Sequence, residues 1–97
     1  MVPSGSYKLR IPDELASFIR KLHPDIKKHV RYALETILED PCCGKSLKDE
    51  LEGLRSFKIK RYRVIYRIAD NARELEVIAV GPRRNIYEET FRIISRK

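Results

Sequence analysis

Between Arg55 and Arg67 the chain carries six basic residues, Arg55, Lys58, Lys60, Arg61, Arg63 and Arg67, with no acidic residue among them, and Arg83 and Arg84 add two more. These side chains suit phosphate. A guanidinium fork can engage two phosphate oxygens while staying charged, and a lysine can also release its proton when neighbouring cations and partial burial lower its pKa. The formal net charge is +7, yet outside these two segments the chain is close to neutral. Such concentration points to a polyanion site, with nucleic acid the first class to consider; a solvated basic face or an acidic protein partner is the competing assignment. Neither histidine joins the cluster. His23 precedes Pro24 and His29 falls inside a helical stretch, so both read as structural or solvated. Cys42 and Cys43 are adjacent, which strains an intrachain disulfide and supplies no metal site. A reduced, cytoplasmic protein without a cofactor or metal is expected.

The elements that must position these groups follow from hydrophobic spacing. A chain of 97 residues fits a single domain over residues 1–97. Apolar residues recur in short blocks, none near the roughly 18 consecutive residues of a membrane span, and no basic leader precedes one, so neither export nor a membrane partner is expected. Tyr7, Leu9 and Ile11 alternate with polar residues, predicting a first strand over 6–11. Pro12 suits the first turn of a helix in which Leu15, Phe18, Ile19 and Leu22 share a face. A second helix over about 24–40 places Ile26, Val30, Ala33, Leu34, Ile37 and Leu38 together. Residues 41–56 read as a loop or short helical turn anchored by Leu47, Leu51 and Leu54.

Three strands follow over 56–60, 62–69 and 74–81, with Asp70 and Asn71 supplying turn chemistry between the last two. Asn85 can cap a final helix whose Tyr87, Phe91 and Ile94 share a face, with Arg92, Arg96 and Lys97 at its negative end. The fold class is therefore α+β, in the order β-α-α-β-β-β-α. A helical hairpin covers a small antiparallel sheet, and a C-terminal helix completes the domain.

Three stretches then carry a likeness: Gly44 to Leu54 (GKSLKDELEGL), Phe57 to Ile68 (FKIKRYRVIYRI) and Ile78 to Tyr87 (IAVGPRRNIY). Together they resemble the RelE/ParE superfamily of toxins from type II toxin–antitoxin systems, on the RelE side of it. The resemblance implies a toxin that a cognate antitoxin neutralises, and for RelE members an endoribonuclease that cuts messenger RNA on the ribosome and so inhibits translation. It also keeps open a ParE-like inhibitor of DNA gyrase that does no chemistry, or an inactive RNA-binding relative.

Carried over residue by residue, the family's lysine pair falls on Lys58 and Lys60, its central-strand arginine on Arg63, its late arginine on Arg83 and its tyrosine on Tyr87. RNA cleavage by internal transfer needs the ribose 2′-OH deprotonated and the developing phosphate charge stabilised. Lys58 is the candidate base, Arg63 the phosphate clamp, Arg83 the transition-state stabiliser, and Tyr87 a stacking platform or a guide for the 2′-OH. Arg55, Arg61, Arg67 and Arg84 complete the expected RNA contacts. Arg63 and Arg67 also fit the solvated face of a strand, and Tyr87 fits a core position. Lys60 departs from the family pattern that the resemblance implies, in which RelE enzymes place a longer hairpin between the lysine pair and the central arginine and many ParE-like relatives have a glycine-containing turn at the positions of Lys60 and Arg61. A two-residue turn there also asks for positive φ, which favours Gly, Asn or Asp, with a bulge or wider turn as the alternative.

Overall fold

The computed structural model describes residues 7–69, 71 and 73–95. Its order is β1 (Lys8–Arg10), α1 (Asp13–Arg20), α2 (Pro24–Glu39), β2 (Lys45–Ser46), β3 (Arg55–Ile59), β4 (Tyr62–Ala69), β5 (Glu74–Pro82) and α3 (Ile86–Ile94), with 3₁₀ turns at Pro41–Cys43 and Asp49–Leu51. Among the described residues no helix is long and apolar enough to cross a membrane.

The α+β order expected from hydrophobic spacing is present, and the sheet is larger than the predicted meander. Its five strands run β1-β5-β4-β3-β2. The meander β3-β4-β5 is antiparallel, β2 adds a short antiparallel edge, and β1 pairs in parallel with β5. An open strand edge presents unpaired N–H and C=O groups to any extended segment, so the pattern within β1 cannot say which edge it joins or in which direction.

The helix ends follow their local chemistry. Pro12 sits at the N-cap of α1, one residue outside the helix, with Asp13 and Glu14 in the first turn, where carboxylates face the positive end of the dipole. His23 caps α2 by accepting the Asp25 N–H at Nδ1 (3.1 Å), and Pro24 occupies the first turn. Its role is structural, as expected. Leu15, Ile19 and Leu22 pack inward, but Phe18 does not share their burial; it is exposed.

The two faces of the sheet bury different cores. Val30, Ala33 and Ile37 of α2 pack with Val64, Tyr66, Leu75, Val77 and Val80 on one face. Leu54, Ile65, Ala79 and Ile86 form a smaller cluster beneath α3, joined by Leu47, Leu51, Ile78 and Ile94. A register shift separates these sets along β5: Ile65 pairs with Ala79 but Tyr66 with Val77, leaving Ile78 as the extra residue. One additional residue lets Val77 and Val80 face the same side despite their odd spacing.

Residues 41–54 are organised around Tyr66 and Arg55. The Tyr66 hydroxyl donates to the Pro41 carbonyl (2.6 Å) and accepts from the Gly44 N–H (3.0 Å). A Cβ on Gly44 would meet that hydroxyl at 2.6 Å, so only glycine fits. Burial is the main cause that pushes the Tyr66 phenol up to about 12, and burial also pushes the Cys43 thiol up. Cys42 and Cys43 are free thiols. Of the positions expected to shape turns and ends, Asp70, Arg96 and Lys97 lie outside the described residues.

Candidate nucleic-acid interface

Alternation along β3 and β4 sorts the side chains by face, and residue pairing aligns them. Phe57, Ile59, Tyr62 and Val64 turn toward the helical hairpin, so Ser56, Lys58 and Arg63 turn toward α3. Lys58 and Arg63 are direct cross-strand partners, and Arg63 is in turn opposite Gly81. β3 joins β4 through a two-residue turn, because Ile59 pairs with Tyr62. The wider connection considered from sequence is absent: Lys60 takes the first turn position with φ +56°. The Arg83 N–H donates to the Arg61 carbonyl (2.9 Å), which ties the end of β5 to this turn.

That tie assembles an open cleft of about 840 Å³ lined by Lys58, Lys60, Arg61, Pro82, Arg83, Arg84 and Asn85. Five of these residues are cations and none is acidic. Two segments more than twenty residues apart in sequence thus share one positive hollow, in which fields of like sign reinforce each other. Lys58 is exposed, so the partial burial assumed for a candidate base is absent. Among the described residues no carboxylate forms an ion pair with Lys58, Lys60, Arg61, Arg83 or Arg84.

Arg63 stands beside this cleft, held by groups from two elements. Its Nη1 donates to Ser56 Oγ (3.3 Å), and its guanidinium lies 5.6 Å from the centre of the Tyr87 ring. The Tyr87 hydroxyl also donates to Ser56 Oγ (3.4 Å). Ser56 is only 3% exposed, so one buried hydroxyl joins the arginine to the tyrosine. Among the described residues Arg63 Nε is buried and has no hydrogen-bond partner, an unsatisfied donor of a kind that is uncommon in folded proteins. Sequence reasoning missed Ser56; its signal is a small polar residue two positions before Lys58 on the same strand face.

Tyr87 is not the core residue that its spacing with Phe91 and Ile94 also allowed. In α3 it is Ile86 and Thr90 that are buried, while Tyr87 and Phe91 are 37% and 45% exposed. Asn85 occupies the N-cap position but makes no side-chain capping bond. Gly81 lets this helix approach, since a Cβ there would meet Ile86 Cδ1 at 3.0 Å.

Two of the expected RNA contacts are placed elsewhere. Arg55 donates through Nη1 to the Gly44 carbonyl (2.7 Å) and the Cys42 carbonyl (3.3 Å), anchoring the 41–54 segment. Arg67 is ion-paired with Glu76, its cross-strand neighbour. Both cations thus have internal partners. Among the described residues no group of three or more His, Cys, Asp or Glu side chains could hold a metal ion.

Residues 10–90 match the family model of the ParE-like toxins of type II bacterial toxin–antitoxin systems. The toxin–antitoxin complex RelBE2 of Mycobacterium tuberculosis is similar at 31% identity and a TM-score of 0.71, over 84% of this chain and 100% of that one. The isolated E. coli RelE toxin is similar at 25% identity and a TM-score of 0.70, over 91% and 98%. A YoeB/ParE toxin from Agrobacterium tumefaciens shares the fold at 19% identity and a TM-score of 0.67, over 77% and 96%. No curated protein sequence matches the chain.

Proposed function

This chain belongs to the ParE-like toxins of type II bacterial toxin–antitoxin systems, and from that premise we propose that it is a ribosome-dependent endoribonuclease that cuts messenger RNA in the cytoplasm and is neutralised by a cognate antitoxin. The observation that supports this most is the cleft in which Lys58, Lys60, Arg61, Arg83 and Arg84 converge without a carboxylate. Five cations around one hollow suit a polyanion, whose phosphates can meet several of them at once. A phosphodiester passing through a more highly charged transition state gains from each of them.

In this mechanism the scissile phosphate lies between Lys58 and Arg83, with Arg63 reaching in from the adjoining strand. Lys58 accepts the proton of the 2′-OH as that oxygen attacks phosphorus. Arg83 stabilises the charge that develops on the non-bridging oxygens, and a solvent proton reaches the departing 5′-oxygen, because a guanidinium is a poor acid. Arg63 and Tyr87, held by Ser56, position the nucleotide: the guanidinium supplies charge and the half-exposed ring a stacking surface. Lys60, Arg61 and Arg84 bind the flanking phosphates. The antitoxin partner is supported by the RelBE2 likeness, itself a toxin–antitoxin complex.

The test is purified protein added to ribosomes programmed with a defined transcript, beside a supercoiling assay with DNA gyrase. Cleavage of the transcript only when ribosomes are present is expected. Inhibition of gyrase with every transcript intact would replace the endonuclease with a ParE-like inhibitor.

A further inference from the structure

A second cleft adjoins the cationic one across the β3–β4 turn. Ile26 and His29 of α2 face Ile59, Lys60, Arg61 and Tyr62 around a volume of about 490 Å³. Lys60 and Arg61 line both clefts, so the turn is a cationic ridge with the more highly charged hollow on one side. The second hollow differs in chemistry. Its walls are two isoleucines, a tyrosine ring and an imidazole, with charge only at the shared ridge.

We propose that this cleft takes an unpaired nucleobase of RNA whose backbone crosses Lys60 and Arg61. A single strand binds where cations track its phosphates and flat or apolar surfaces receive its bases, and both conditions meet at the ridge. The size also fits, since ligand pockets for small molecules start at roughly 300 Å³. Lys60 adds a further argument. It holds φ +56° at a turn where glycine would be relaxed, and non-glycine residues kept in such conformations cluster at ligand contacts. His29 acquires a role here that its place inside α2 did not suggest.

The proposal rests on the RNA-directed function above, and it leaves two sources for the base: the transcript or an unpaired loop of ribosomal RNA. His29→Ala removes one wall at a helix position where alanine is well tolerated. In the ribosome assay it is expected to raise KM about tenfold with kcat unchanged, since one lost base contact weakens binding by that order. Transcripts with an abasic nucleotide at each position in turn identify a transcript base: one position reproduces the tenfold loss in the wild type and has no further effect in His29→Ala. Dimethyl sulfate probing of the ribosome identifies a ribosomal base: one protection seen with wild-type toxin disappears with the variant while the others persist. Wild-type KM in His29→Ala, with no abasic effect and an unchanged protection pattern, would overturn the cleft as a base site while leaving cleavage intact. If the wild type neither cuts RNA nor protects the ribosome, the endonuclease function itself fails, and this site with it.

Discussion

The two faces of the sheet divide the work of the molecule. Against the helical hairpin, α2 and the sheet bury a continuous apolar layer from Val30 to Val80, and Arg55 on that side is spent on backbone carbonyls. Against α3 the core is smaller, the helix leaves Tyr87 and Phe91 half exposed, and Lys58 and Arg63 emerge between the short helix and the β3–β4 turn. The main buried core and the Lys58–Arg63 cations are thereby separated by one strand's alternation. A substitution can move from one role to the other by shifting a single residue along β3.

The largest expected effect breaks the stabilising face. Ile37→Ala removes a fully buried side chain from α2, and a loss of about 2–5 kcal/mol is expected in urea unfolding, with the cleavage rate of the folded fraction unchanged. On the opposite face Arg83→Lys is expected to lower single-turnover cleavage by about 10²–10³ while ribosome affinity and melting temperature hold, because charge survives and the planar fork does not. Lys58→Arg belongs with it, since arginine keeps charge but cannot serve as a base. If both variants cut at the wild-type rate, the proposed roles of these two residues are wrong.

Tyr66→Phe tests the buried hydroxyl that holds the 41–54 segment. It deprives the Gly44 N–H and the Pro41 carbonyl of their partner, so a loss of about 1–3 kcal/mol is expected near neutral pH. The same residue gives the hairpin face a pH signature. Its folded pKa is raised, from the ordinary 10.0 to about 12, so its contribution is complete below pH 10 and declines as pH rises toward 12. Denaturant titrations between these limits should show a steeper decline for the wild type than for Tyr66→Phe; parallel curves would contradict the assignment.

The smallest effect has opposite signs on the two properties. Lys60→Gly relieves a positive φ, and the strain removed exceeds the added chain entropy by roughly 0.5–1 kcal/mol. Melting temperature is expected to rise while cleavage falls, which a purely structural turn residue would not do.

Much of this architecture is legible in the residues themselves because it is local. The spacing of Val30, Ala33 and Ile37 sets the buried stripe of α2. Pro24 and Pro12 mark where helices begin, and the Tyr62–Ala69 alternation assigns Arg63 and Arg67 to the same face of β4. The two basic segments are equally plain, and so is the likeness of the Gly44 to Tyr87 stretches to toxins of this family. What tertiary structure decided is non-local. Nothing within Lys8–Arg10 specifies a parallel partner, since any open edge offers the same hydrogen bonds. Arg55, Arg63 and Arg67 are alike as residues, but folding gives the first two carbonyls, the second a buried serine and a tyrosine ring, and the third a glutamate. Charge belongs to each residue from the outset, whereas whether it stays available depends on which distant groups packing brings within hydrogen-bonding reach.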